Sequence, residues 1–75
     1  MKRYKNLKGN SGIMSYDIGR DSIIVTFRGG HTYLYNYVVT GKMHIEKMKK
    51  LAREGIGLST YISRHVKDRY AEQLS

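Results

Sequence analysis

Tyrosine occupies every second position of one short stretch of the chain, as Tyr33, Tyr35 and Tyr37. Alternate side chains of a strand point to the same face, so we expect these three rings to lie side by side. Such a row can stack unpaired nucleobases, at about 1–3 kcal/mol per base. Because Arg28 and His31 precede the row, we expect a basic edge beside it.

Basic side chains are the second feature that could bind a ligand. Fourteen Lys and Arg against six Asp and Glu leave a formal net charge of +8. The excess is concentrated in residues 1–10 and 42–53, and it favours a polyanionic partner such as RNA, DNA or a phosphorylated small molecule. Solubility alone is the other explanation, since small domains often carry such a charge. The residues predicted to contact phosphate are Lys2, Arg3, Lys5, Lys42, Lys49, Arg53, Arg64 and Lys67.

The stretch "GIGLST" suggests a candidate anion site at Gly57, Ser59 and Thr60. Glycines just before a helix can admit an anion to free backbone N–H groups. Two glycines between helices also serve turn geometry alone, so both interpretations stay open.

No pattern in the chain predicts catalysis. His31, His44 and His65 are scattered, and cysteine is absent, so no metal-ligand spacing is recognisable. No hydroxyl is paired with a base and an orienting acid in a known motif. We therefore expect no enzyme, no cofactor and no metal.

The elements that position these residues follow from periodicity. Residues 12–18, 22–28 and 31–39 have the composition of strands, and Gly29-Gly30 is typical of a hairpin turn. A helix is predicted from an N-cap at Thr40 to Gly55. A second helix is predicted after an N-cap at Ser59, with its buried stripe at Ile62, Val66 and Tyr70.

The predicted fold class is therefore α+β. It consists of a three-stranded antiparallel β-meander followed by two α-helices packed on one sheet face. Residues 1–11 are expected to form a flexible basic arm, and residues 12–75 a single domain.

The length of the hairpin turn decides where the tyrosines point. A two-residue turn places Tyr35 opposite Ile24 and Tyr33 opposite Thr26, so that Ile23, Val25, Phe27, Leu34 and Val38 form an apolar face and the tyrosines the other. A three-residue turn places Tyr33 opposite Val25, and the tyrosines then join Phe27 in the core. We favour the first register because it separates polar from apolar side chains better.

Two stretches resemble a known family. The core "SYD…SIIVTFRGGHTYLYNYV" and the later "YISRHVKDRYA" are similar to the KTSC domain, a short module found at the C-terminus of some lysyl-tRNA synthetases and alone in bacterial and phage proteins. Its hallmark Tyr-x-Tyr corresponds to Tyr33-Leu34-Tyr35, and the likeness covers about residues 11–71. The resemblance implies a compact fold without established catalysis, and RNA binding is suggested for the family.

The chain departs from the family pattern after its third predicted strand. Many members have a proline after the valine, where this chain has Val39-Thr40-Gly41, and the inter-helix segment "REGIGLST" is longer than the common form. These departures bear on how the first helix begins and how the two helices are joined.

We expect a small cytoplasmic module that binds RNA or single-stranded nucleic acid, using Lys/Arg contacts to phosphate and the tyrosine face. The first alternative is a non-catalytic sensor or sequestering protein for an anionic nucleotide, linear or cyclic, with assembly as a homo-oligomer left open. A protein-interaction module is the second alternative. No apolar run approaches the roughly 18 residues of a membrane span, so no membrane partner is expected.

Overall fold

In the part of the chain that the structure describes, five strands form one antiparallel sheet, in which each strand lies beside the next along the chain. The structure is a computed structural model that describes residues 1–9 and 11–75. The strands are β1 (Lys2–Arg3), β2 (Ile13–Ile18), β3 (Ser22–Phe27), β4 (Thr32–Asn36) and β5 (Glu72–Gln73). The predicted α+β class is confirmed, but the sheet has two short edge strands beyond the predicted meander of three.

Helix α1 (Lys42–Glu54) forms where the apolar stripe predicted a helix, and Ile45, Met48 and Ala52 of that stripe are buried. It ends where expected, because Gly55 adopts the left-handed conformation with φ 76° and donates its N–H to the carbonyl of Leu51. Its start differs from the prediction. Gly41 occupies the N-cap position, while the fully buried Thr40 donates its Oγ1 hydroxyl to the carbonyl of Arg69 at 2.7 Å.

Helix α2 (Leu58–Tyr61) is shorter than predicted and begins after Gly57, so the predicted N-cap at Ser59 is wrong. The chain then widens into a π-helical turn (Ile62–Val66), in which Ile62 and Val66 are buried as the stripe predicted. The helix stops before Tyr70.

The β3–β4 register overturns the favoured tyrosine placement. Val25 lies opposite Tyr33 and Ile23 opposite Tyr35. The N–H of Phe27 donates to the carbonyl of His31 at 2.8 Å, so three residues (28–30) form the loop. Gly29 and Gly30 both have positive φ, which suits them to this longer turn. Because side chains alternate along a strand, the one-residue difference moves Tyr33 and Tyr35 to the core face.

The same register corrects the predicted apolar face. Leu34 pairs with Ile24 on the opposite side of the sheet, and Val38 lies beyond β4 with 91% of its surface exposed. The core instead combines sheet tyrosines with aliphatic side chains from the helices. Its largest fully buried members are Tyr35, Ile23, Ile45, Met48, Leu58, Val25 and Val66.

The N-terminal segment belongs to the domain, which corrects the expectation of an arm over residues 1–11. Lys2 and Arg3 pair with β2, and Tyr4 is only 4% exposed. The N–H of Leu7 donates to the carbonyl of Gly55 at 2.8 Å, which ties this segment to the end of α1. The N-terminal segment is attached to the domain by the buried ring of Tyr4 and by its pairing with the edge of β2. The hydrophobic periodicity of the sequence does not reveal either contact. Asn10 lies outside the described residues.

Neither helix of the described residues is long and apolar enough to cross a bilayer.

Candidate functional site

An aromatic recess opens between the β3–β4 hairpin and the segment that follows the π-helical turn. Its volume is about 450 Å³. We call it the aromatic recess; it is lined by Phe27, His31, Tyr33, Tyr35, Ile62, Lys67, Asp68 and Tyr70. The hairpin supplies one wall, because the observed register points Tyr33 and Tyr35 to this side of the sheet.

Ring contacts hold the walls of the recess together. The centroids of Tyr33 and Tyr70 are 4.7 Å apart with planes tilted by 46°. Phe27 meets Tyr33 edge-on at 5.8 Å, and Tyr35 meets Tyr70 edge-on at 6.4 Å. Edge-to-face and offset contacts of this kind are the arrangements that aromatic quadrupoles favour. The rings therefore form a connected, ordered surface.

Tyr35 lies deepest in the recess, with 2% of its surface exposed. Burial, with smaller effects of Tyr33 and Tyr70, raises the pKa of Tyr35 to about 12. Its hydroxyl is therefore neutral at physiological pH, and the recess floor carries no charge.

Lys67 and Asp68 reach the rim because the π-helical turn ends abruptly. The N–H of Lys67 donates to the carbonyl of Ile62 at 2.6 Å, a bond that spans five residues. Lys67 itself has φ 45°, an uncommon conformation for a residue with a side chain. Irregular turns of this kind are frequent at functional positions in helices.

A larger basic groove is lined in part by Arg28 and Gly29 of the same hairpin loop. Its volume is about 870 Å³, and its basic members are Arg3, Lys5 and Arg28. It forms where β1 meets β2, next to the register shift between Ile13 and Ser15. We call it the basic groove; its remaining lining residues are Tyr4, Asn6, Ile13, Met14 and Gly29.

The β3–β4 loop joins the two surfaces. Phe27 and His31 line the aromatic recess, whereas Arg28 and Gly29, which lie between them in the sequence, line the basic groove. This loop therefore contributes residues to both surfaces.

Tyr37 lies apart from the other two tyrosines of the predicted row. Its hydroxyl donates to Oε2 of Glu46 at 2.6 Å, and this hydrogen bond raises the pKa of Tyr37 and lowers that of Glu46. The Nζ atoms of Lys42 and Lys49 lie 5.9 and 5.6 Å from its ring centroid. The ring thus packs on α1 and lines neither surface.

Lys49 was predicted as a phosphate contact, and the structure contradicts this. It is 5% exposed, and its Nζ donates to the carbonyl of Arg20 at 2.8 Å and lies 3.0 Å from Oε2 of Glu46. The helical wheel contains the signal that was missed. At about 100° per residue, Lys49 lies about 40° from Ile45 and about 60° from Ala52, within the buried stripe.

The remaining predicted phosphate contacts are spread over the surface. Lys67 lines the recess, and Arg3 and Lys5 line the groove. The exposed residues that line neither surface are Lys2, Lys42, Arg53 and Arg64.

Gly57, Ser59 and Thr60, the candidate anion site, do come together. They line a small recess of about 180 Å³ that also includes Lys8. One amide at this helix start is already engaged, because Leu58 donates its N–H to the Tyr4 hydroxyl at 3.3 Å.

Four residues of the aromatic recess were not among the predicted site residues: Phe27, Ile62, Asp68 and Tyr70. Phe27, Ile62 and Tyr70 were assigned to buried faces, and that assignment did not reveal that they also line the recess. For Asp68 the local sequence carries no signal, since its position depends on where the preceding helix stops.

His44, Tyr61 and His65 form a separate cluster between the helices. The Nδ1 of His44 lies 2.7 Å from the Tyr61 hydroxyl, and the His65 ring lies 4.5 Å from the Tyr61 ring. Within residues 1–9 and 11–75, no three His, Asp or Glu side chains are grouped closely enough to hold a metal ion.

Comparison with known proteins found no match: no family model, no curated protein and no solved structure is similar to this chain. The resemblance to the KTSC domain stays a prediction.

Proposed function

We propose that this chain is a non-catalytic, KTSC-like module that binds single-stranded nucleic acid, RNA foremost. One base stacks in the aromatic recess, and neighbouring phosphates lie along the basic groove. The observation that supports this best is the meeting of an aromatic surface and a cationic surface at the β3–β4 loop. Single-strand binders combine these two elements, a stacking platform and a basic track for the backbone.

Each surface contributes a different part of the affinity. Stacking of one base on the partly exposed rings of Tyr33 and Tyr70 contributes about 1–3 kcal/mol. Arg3, Lys5, Arg28 and Lys67 supply charge for phosphates, and binding then weakens with salt at a log–log slope of about −0.7 for each phosphate neutralised. Since Tyr33 and Tyr70 are only partly buried, ring surface remains for a base.

A mononucleotide ligand is the second candidate. The recess volume of about 450 Å³ falls in the range of small-molecule sites, roughly 300–1,000 Å³. Lys67 and His31 line it and would meet the phosphate. The two candidates differ in one respect: a strand that crosses the loop gains affinity from the groove, whereas a mononucleotide does not.

Fluorescence anisotropy with a labelled single-stranded RNA, titrated at several salt concentrations, tests the proposal. We expect binding at low salt that weakens linearly on a log–log plot, and weaker binding of a duplex of the same sequence, whose paired bases are not free to stack on the rings. Lys67→Ala and Arg28→Ala should each lower the affinity and flatten the slope by about 0.7. Lys47→Ala is the matched control, because Lys47 is exposed and lines neither surface.

A length series separates the two candidates. If the function is single-strand binding, affinity rises from mononucleotide to short oligomer, and Arg28→Ala weakens only the longer ligands. If a nucleotide binds as tightly as the oligomers, the mononucleotide candidate is correct. Absence of binding by any of these ligands at low salt would exclude both.

A further inference from the structure

The rim of the aromatic recess includes one carboxylate, Asp68, directly beside Lys67 in the chain. It is the only acidic residue among those that line the recess. A carboxylate opposes a phosphate group, so it does not contribute to attraction of a polyanion. An ionised carboxylate is an acceptor only, and it therefore favours a ligand that presents an N–H or O–H donor to it.

The backbone on both sides of Asp68 is tied down. The N–H of Arg69 donates to the carbonyl of Val66 at 2.8 Å, and the carbonyl of Arg69 accepts from Oγ1 of the buried Thr40 at 2.7 Å. The N–H of Ala71 donates to the carbonyl of Leu34 on β4 at 2.7 Å. The Asp68 backbone is thus fixed relative to the hairpin wall, as a specificity contact requires.

The edge of an unpaired base can supply the N–H donor from which the Asp68 carboxylate would accept. Unpaired bases stacked on aromatic rings are commonly read through hydrogen bonds to their exposed edges. A cytosine presents its N4 amino group as a donor, the usual partner of Asp and Glu. A uracil presents its O4 acceptor at the same position, and two acceptors facing each other repel.

We propose that Asp68 accepts a hydrogen bond from the exocyclic amino group of the base held in the aromatic recess, and so selects cytosine over uracil. The proposal rests on the proposed single-strand binding and adds a base preference to it. Lys67 and His31 remain available for the flanking phosphate. Adenine and guanine also carry amino groups, but cytosine and uracil allow a comparison at equal ring size and charge, because they differ only in the donors and acceptors at N3 and C4.

The test compares oligocytidine and oligouridine of the same length at neutral pH. We expect the unmodified protein to bind oligocytidine about tenfold more tightly, in line with one well-placed base contact. In Asp68→Asn the preference should fall to within about twofold, because an amide both accepts and donates and so suits either base.

Glu72→Gln is the matched control, since Glu72 is an exposed carboxylate that does not line the recess and its replacement changes the net charge equally. It should keep the tenfold preference and bind both oligomers slightly better, because one negative charge is removed. In Asp68→Asn the two affinities should instead change unequally, with oligouridine gaining relative to oligocytidine. Thermal unfolding of both variants confirms that they are folded.

The outcomes distinguish the two proposals. Equal binding of both oligomers by the unmodified protein overturns the role of Asp68 and leaves single-strand binding intact. A full cytosine preference in Asp68→Asn also overturns that role. Failure to bind either oligomer at low salt overturns the proposed function, and the base preference with it.

Discussion

The ring of Tyr70 lies against the ring of Tyr33, with centroids 4.7 Å apart. Tyr33 belongs to β4, whereas Tyr70 comes from the segment between the π-helical turn and β5. This contact closes the aromatic recess, since each residue forms part of its wall. The same contact packs the last segment of the chain against the sheet, so this pair of rings contributes both to the proposed binding and to the stability of the fold.

Replacement of Tyr70 should therefore weaken both properties. In Tyr70→Ala we expect the affinity for single-stranded RNA to fall by about 5- to 150-fold, the equivalent of about 1–3 kcal/mol for one lost stacking surface. The melting temperature should fall as well, because the contacts with Tyr33 and Tyr35 are removed. Anisotropy and thermal unfolding measure the two effects.

Tyr70→Phe is the control, because it keeps the ring and removes only the hydroxyl. It should bind within about twofold of the unmodified protein, as expected for stacking that uses the ring face. A folded Tyr70→Ala protein with unchanged affinity would show that the recess does not hold the base.

The Tyr35 hydroxyl should make stability depend on pH in the alkaline range. Burial raises its pKa to about 12 in the folded protein, whereas the ordinary value is 10.0. Between these values the folded state keeps a proton that the unfolded state releases, so the free energy of unfolding falls as pH rises. Below pH 10 the protonated Tyr35 hydroxyl makes its full contribution to the free energy of unfolding. Roughly 2–3 kcal/mol of this free energy is lost as the pH rises from 10 through about 12.

Urea unfolding at a series of alkaline pH values measures this effect, and Tyr35→Phe provides the comparison. The variant lacks the titrating hydroxyl, so its stability should decline less steeply over the same range. Equal slopes for the two proteins would contradict a buried, neutral Tyr35.

Gly55 and Gly57 provide a matched pair for testing the attachment of the N-terminal segment. Both have left-handed backbones, with φ of 76° and 81°, so alanine at either position costs about 1–2 kcal/mol. A Cβ at Gly57 would find its nearest neighbour, a methyl group of Leu51, at 3.8 Å, but one at Gly55 would lie 2.5 Å from the Cβ of Lys5. We expect Gly55→Ala to lose about 1–3 kcal/mol more than Gly57→Ala.

Urea unfolding of both variants gives the difference directly. The clash should also displace Lys5, which lines the basic groove, and so weaken RNA binding in Gly55→Ala alone. If the two variants are equally stable, the N-terminal segment does not pack against the end of α1 as the structure has it.

Several features of the fold follow from local sequence. β-Branched residues in β3 and the apolar stripe of α1 predicted both elements, because burial of one face imposes a periodicity that the sequence must carry. Gly55 predicted the end of α1, since a left-handed residue suits glycine. The net positive charge was also evident from the composition. The positions of the charged side chains on the surface could be known only from the structure.

The two edge strands were missed for a different reason. β1 and β5 contain two residues each, too few to show alternation, and they form because neighbouring strand edges offer unpaired backbone groups. The helical wheel places Lys49 within the buried stripe of α1, but the carbonyl of Arg20 that accepts from its Nζ is distant in sequence, so this partner carries no local signal.

That Tyr33 and Tyr35 share one face of a strand follows from their spacing alone. Which face of the sheet they occupy depends on the packed chain, because glycines at 29 and 30 permit turns of either length and one added loop residue reverses every side chain of β4. The three-residue loop places both rings toward the helices. There they meet Tyr70, whose position depends on where a π-helical turn ends, and the aromatic recess exists only once these separate segments are packed together.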